Sequence, residues 1–380
     1  MPAIPAPVAV TLDPKTTVLG ILDMINPICT TRPQCTESLP AAQALLKKAR
    51  DANATVIFTN TAAANTIVPQ LTPNPDETVI VPSVADKFVN TNLDDVLKKS
   101  GAKTLLIIGT RSTGAVLYSA FGANIRGYTV VVAEDGISGS VPFENAFTRW
   151  QLLNQPGFTN AENKPLAEKL VTLSRGDLIS FAPGATPPAP TSAPGVPIPT
   201  TPAPVAVSLD AKTTALAVLD INSMSCAPPQ PCVDTLLAIQ ALLKKARDAK
   251  VPVVYGTTTN AGVTTMSQVA PQAGEPTVAS PSANKFYGST LDETLKGLKV
   301  TTLVVVGTQA NGAVLYSGFE ANVRGYTVVV ADDGVSSATP FQTAAARWQL
   351  LNQPGFTNAE NKPAAEKLVT LSRGDLISFK

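Results

Sequence analysis

Histidine is absent from all 380 residues. Its absence removes the commonest general base near neutral pH, the Ser-His and Cys-His nucleophile pairs, and the imidazole ligands on which most zinc and iron centres depend. We therefore expect neither a metal nor a cofactor. Charge is scarce as well: Asp, Glu, Lys and Arg make up 15% of the chain and nearly cancel to a net charge of +1, where an ordinary domain carries about 25% charged residues. No basic stripe argues for nucleic acid, and a near-neutral surface favours self-association. No apolar run reaches the roughly 20 residues of a membrane span. The N-terminus, MPAIPAPVAVTLDPKTT, lacks both the basic start and the long apolar core of a secretory signal. An intracellular protein, cytoplasmic or vacuolar, is the expectation.

What the chain does have is a repeat. Leu105 to Gly136 reads LLIIGTRSTGAVLYSAFGANIRGYTVVVAEDG and returns at Leu303 to Gly334 as LVVVGTQANGAVLYSGFEANVRGYTVVVADDG. Apolar β-formers run into a Gly-led turn, Ala115 to Arg126 carries apolar residues at helical spacing, and a second apolar run starts at Tyr128. A helix joining two continuous apolar runs implies neighbouring parallel strands buried on both faces. The expected fold class is α/β: two three-layer α/β/α domains, each a mostly parallel sheet with helices on both faces. Residues 1–181 form the first copy and 205–380 the second. Residues 182–204, dense in Pro with Ala, Thr, Gly and Ser, read as an extended spacer.

Sites in such sheets lie beyond the C-terminal ends of the strands. The turn Gly109-Thr-Arg-Ser-Thr-Gly-Ala-Val is at such an end, and no cysteine stands in it. The first apolar strands, Thr17 to Leu22 and Thr214 to Leu219, each run into an acid, Asp23 and Asp220; taken alone, such an acid caps a helix or loop. Lys87-Phe88 and Lys285-Phe286 follow a divergent, Pro-rich loop of the kind that governs entry to a site. On its own, a lysine there reads as a snorkelling surface side chain.

All four cysteines fall in two C-x5-C pairs, Cys29 with Cys35 and Cys226 with Cys232. The spacing is too long for a zinc knuckle. It leaves open a local disulfide, a crosslink between chains, and reduced loop thiols. Each copy closes with a segment, Arg149 to Phe181 and Arg347 to Phe379, that reads as a helix, an Asn-Gln-Pro-Gly turn, another helix and a last strand.

Gly109-x-x-Ser112-x-x-Ala115-Val116, followed by the helix and Arg126-Gly-Tyr-x-Val-Val-Val-x-Glu-Asp, resembles the isochorismatase-like cysteine hydrolase family. In that family the motif is G-x-x-T-x-x-C-V, and its cysteine attacks the substrate carbonyl. The resemblance implies that Asp23 and Asp220 hold the general-base position, that Lys87 and Lys285 hold the position of the thiolate-stabilising lysine, and that Ala115 and Ala313 stand where the cysteine would be. The metal that the nicotinamidase relatives bind through histidines has no histidines here. A methyl group cannot attack a carbonyl, so a catalytically inactive tandem protein is expected. Its sole expected partner is itself, in a self-assembling structural or storage role. The alternatives are a small-molecule binding module and a residual hydrolase using Cys29 or Cys226.

Overall fold

The computed structural model describes residues 1–81, 84–181 and 196–380. Contacts divide the chain into two compact units, Met1–Pro197 and Ile198–Lys380, each described here by itself. Most of the expected spacer, 182–195, lies outside the described residues. Its last part belongs with the second unit, since the Asn361 side-chain amide donates to the Ala203 carbonyl at 2.9 Å.

The first unit runs β1 (Val10–Thr11), β2 (Thr17–Leu22), α1 (Asn26–Cys29), α2 (Pro33–Asp51), β3 (Thr55–Thr59), β4 (Thr78–Ile80), α3 (Leu93–Lys99), β5 (Thr104–Thr110), α4 (Leu117–Ile125), β6 (Thr129–Ser138), α5 (Pro142–Leu153), β7 (Val171–Ser174) and β8 (Ile179–Ser180). Six strands form one parallel sheet in the order β4-β3-β2-β5-β6-β7. All six residues of β2 are buried, as a strand covered on both faces must be. Because side chains alternate across the sheet, Leu19, Ile21, Leu106, Ile108 and Val131 cluster with Leu39, Ala42, Leu45 and Leu46 of α2. Helices α4 and α5 pack against β6 and β7. The expected three-layer α/β/α architecture is therefore present.

The second unit repeats it with β9 (Val207–Leu209), β10 (Thr214–Leu219), α6 (Leu236–Asp248), β11 (Val253–Thr258), β12 (Thr277–Ser280), α7 (Leu291–Gly297), β13 (Thr302–Thr308), α8 (Leu315–Val323), β14 (Thr327–Ser336), α9 (Pro340–Leu351), β15 (Val369–Ser372) and β16 (Ile377–Phe379). Its sheet order is β12-β11-β10-β13-β14-β15. In both sheets the order reverses beside the first long strand, which opens a crevice between β2 and β5, and between β10 and β13, at their C-terminal ends.

Two expectations fail in the closing segment. No second helix follows the Asn-Gln-Pro-Gly turn: the chain winds through turns to an edge strand, β7, that the apolar pattern did not single out. Side-chain amides supply the reason. Asn163 donates to the carbonyls of Ala6 and Leu173 and accepts from the Leu173 amide, while Asn160 donates to those of Lys164 and Val171. These bonds satisfy backbone groups that a helix would otherwise pair. The last strand does not join the main sheet either; β8 pairs with β1, and β16 with β9, in separate two-stranded ribbons.

Candidate functional site

Leu22 pairs with Thr59 on one side and Gly109 on the other, so the next residue, Asp23, emerges at the crevice. Glycine is required across from it: a Cβ on Gly109 would lie 2.3 Å from the Leu22 carbonyl oxygen, and one on Gly307 would lie 2.5 Å from that of Leu219. Both acids sit in the left-handed region, Asp23 at φ 53° and Asp220 at φ 51°. That conformation is uncommon for a residue with a side chain, and it persists where the surroundings over-determine it. Here it turns each carboxylate back over the strand ends.

Each carboxylate meets the lysine that sequence placed with it. Lys87 Nζ lies 2.6 Å from Asp23 Oδ2, and Lys285 Nζ lies 2.8 Å from Asp220 Oδ2. Neither lysine snorkels; Lys87 is 0% and Lys285 2% exposed. The ammonium of Lys87 also donates to the Val84 carbonyl, and that of Lys285 to the Ser282 carbonyl. The following phenylalanines anchor the segment: Phe88 stacks near Tyr128 beneath the Arg126 guanidinium, and Phe286 does the same with Tyr326 and Arg324. From α4 and α8, the hydroxyls of Ser119 and Ser317 accept the backbone N–H groups of Lys87 and Lys285.

The two pairs differ in their second support. The Thr59 hydroxyl donates to Asp23 Oδ1 at 2.8 Å. Gly256 stands in that place in the second unit, where the Asn222 amide approaches Asp220 Oδ1 at 3.4 Å instead. Burial pushes the Asp220 carboxyl above its ordinary value, with Lys285 pulling against it.

After β5 and β13 the chain enters a π-helical turn, Ser112–Val116 and Ala310–Val314, which leads into α4 and α8. Such turns recur at functional sites. Ala115 and Ala313 lie in these turns, buried at 3% and 1% exposure. The cysteines are disulfide-bonded within each unit, Cys29 to Cys35 and Cys226 to Cys232. No thiol is free, and all four are buried. Among the described residues no group of His, Cys, Asp and Glu could hold a metal ion.

The chain matches the Isochorismatase domain over residues 17–159 and again over 214–357. It belongs to that family. A curated relative, the secreted isochorismatase effector of Verticillium dahliae, is 32% identical over 112 residues, which cover 26% of this chain and 59% of the effector. The chain thus spans about six tenths of that relative's length. Solved structures similar to it include a cysteine hydrolase from Pseudomonas syringae pv. phaseolicola (19% identity, 47% of this chain and 95% of the other, TM-score 0.38). Another is the N-carbamoylsarcosine amidase of Thermoplasma acidophilum (20% identity, 43% and 97%, TM-score 0.36).

Sequence reasoning missed a second group of side chains beside the first unit's crevice. Arg111, directly after β5, places Nη2 3.6 Å from Oε1 of Glu144 on α5. Arg32, in the disulfide-closed loop before α2, is near enough that Arg111 and Glu144 both act on its charge. The available signal was divergence between the copies, since the second has Pro229, Gln309 and Gln342 in the matching places.

Proposed function

We propose that this tandem isochorismatase-family chain is not a hydrolase and serves as a self-assembling structural or storage protein. The observation that carries the first part is the pairing of each buried acid with its lysine, in a chain whose family motif has alanine at the cysteine position. A covalent acyl route needs an atom that can attack. With Ala115 and Ala313 in that place and every thiol in a disulfide, the Asp–Lys pairs have no proton to take and no thiolate to hold. They act as buried structural ion pairs.

The test is substrate turnover followed by restoration. The protein should leave isochorismate, nicotinamide and simple amides intact. Ala115→Cys with Ala313→Cys should give thiols that alkylate near neutral pH faster than a free cysteine, because Lys87 and Lys285 favour the thiolate. Turnover by the unmodified chain that disappears on replacing Asp23 and Asp220 would sink the reading.

Self-assembly is supported by the sparse surface charge and by apolar side chains left exposed, including Val79 and Val81 at the outer strand β4, with Met224 and Leu237 in the second unit. Tandem copies of one fold let contacts propagate from chain to chain. The intramolecular disulfides fit an oxidising compartment better than the reducing cytosol. A monodisperse monomer at high concentration and neutral pH would exclude the assembly role.

A further inference from the structure

We propose that the first unit, and not the second, holds a small carboxylate anion between the guanidinium groups of Arg32 and Arg111. The site lies beside the crevice described above but uses neither Asp23 nor Lys87. It stands whether or not the chain hydrolyses or assembles.

Three side chains around it leave buried polar atoms unbonded: among the described residues, Nη1 of Arg32, Nε of Arg111 and Oγ of Ser112 have no hydrogen-bond partner. Ser112 is 0% exposed. A buried donor without a partner is expensive, and native structures rarely keep one unless something else binds there. Charge is unbalanced as well. Glu144, the carboxylate that acts on both guanidinium groups, has Oε1 3.6 Å from Arg111, and its Oε2 already accepts the Ser140 amide. The contact to Arg111 is longer than a hydrogen bond. Burial and the Arg111 charge both lower the Arg32 pKa, while Glu144 raises it only in part. Among the described residues Arg32, which is partly buried, makes no ion pair, and Arg111 pairs only with Glu144.

The second unit acts as an internal control. Where the first has Arg32, Arg111, Ser112, Gly139 and Glu144, the second has Pro229, Gln309, Ala310, Ser337 and Gln342. Its polar atoms are turned on one another. The Ser337 hydroxyl donates to the Asn311 side chain and accepts from the Asn311 amide, and Gln342 closes a capping box with Thr339 at the start of α9. A cavity of about 200 Å³ lies between the disulfide loop and the strand-end turn there, lined by Gln230, Cys232, Thr308, Gln309 and Ser337 among others. In the first unit Arg111 and Gly139 stand where Gln309 and Ser337 line that cavity. A Cβ at 139 would lie 2.8 Å from Ser112 Oγ and 2.7 Å from Glu144 Oε2, so the first unit has no room for a side chain like that of Ser337 beside these groups.

A guanidinium presents a planar fork that matches the two oxygens of a carboxylate, and two forks with a hydroxyl favour that shape over a point charge. Arg32 lies inside the loop closed by Cys29 and Cys35, which fixes its backbone before a ligand arrives and so lowers the ordering penalty of binding.

Titration calorimetry of the full chain tests this with benzoate, benzamide and inorganic phosphate as probes. Benzoate should bind with one site per chain, benzamide at least tenfold more weakly, and phosphate more weakly than benzoate. Arg111→Gln, the residue that the second unit carries, should weaken benzoate at least tenfold while leaving the thermal midpoint within a few degrees of the parent. Arg32→Gln should do the same and serves where the first variant fails to fold. Two sites per chain, equal affinity for benzamide, tighter binding of phosphate, no saturable benzoate binding, or full binding by both variants would each overturn the proposal. None of these outcomes bears on turnover, which the alkylation and hydrolysis assays read separately.

Discussion

Lys87 Nζ lies 2.6 Å from Asp23 Oδ2, and the two side chains are 1% and 6% exposed. A buried pair of this kind is strong evidence of what its removal would do and weak evidence of net stabilisation, because desolvation offsets much of the attraction. Lys87→Met should destabilise the first unit by roughly 3–5 kcal/mol by stranding the Asp23 carboxylate. Adding Asp23→Leu should recover most of that loss. Urea unfolding read by Trp150 fluorescence in a Trp348→Phe background isolates the first unit, since those are the only tryptophans. Equal destabilisation of the single and double variants would show that the pair is not coupled.

The second pair gives a pH signature. Burial raises the Asp220 carboxyl above its ordinary value despite Lys285. A raised carboxyl means that the folded state binds more protons than the unfolded state between the two values, so this group's contribution to stability falls as pH rises through that window. Asp220→Asn removes the contribution at every pH while leaving Lys285 unpaired. The stability of the parent relative to Asp220→Asn should therefore fall as pH is raised above the ordinary carboxylate value of about 3.9. A rise over that range would mean that the lysine outweighs burial.

The Asp–Lys pairing was legible because each partner follows an apolar run or precedes a Phe within a recognisable pattern, and the parallel sheet was legible from uninterrupted β-formers such as Val130, Val131 and Val132. The turns at 160–170 were not. Asn160 and Asn163 fix them through bonds to backbone as distant as Ala6, and nothing local in the sequence marks those bonds. Arg32, Arg111 and Glu144 were invisible for a related reason: they come from the loop before α2, the end of β5 and the first turn of α5, and only the folded sheet brings them together. The cysteine spacing permitted three states, and the choice among them depended on α1 and α2 meeting at the Cys29–Cys35 bond.

A forked ion pair ties α2 to the turn before β4. Arg50 donates through Nε and Nη2 to Glu77 at 2.8 and 2.6 Å, and the Asn74 amide adds a third bond. Burial pushes the Glu77 carboxyl up, but these bonds outweigh it and leave the group below its ordinary value. A lowered carboxyl contributes stability above its unfolded value and loses it as pH falls through the folded one. Glu77→Gln should cost about 2 kcal/mol at neutral pH, as charge-assisted bonds do, and much less in acid. A cost that does not change with pH would mean that Glu77 acts through packing alone.

The last expectation joins the disulfides to assembly. Each bridge closes a loop with a sequence separation of 6, short enough that its entropic contribution is about 2 kcal/mol per bond. Both lie within a unit, so neither can link one chain to another. Any oligomer must then rest on noncovalent contacts between apolar surfaces, which bury far more area than a sulfur bridge. Replacing Cys29, Cys35, Cys226 and Cys232 by Ser should leave the particle size in sedimentation unchanged while lowering the urea concentration at which each unit unfolds. Because dissociation in denaturant follows loss of the folded units, the oligomer should also come apart earlier. Loss of the oligomer in buffer alone, with both units still folded by circular dichroism, would mean that the bridged loops themselves form the contact.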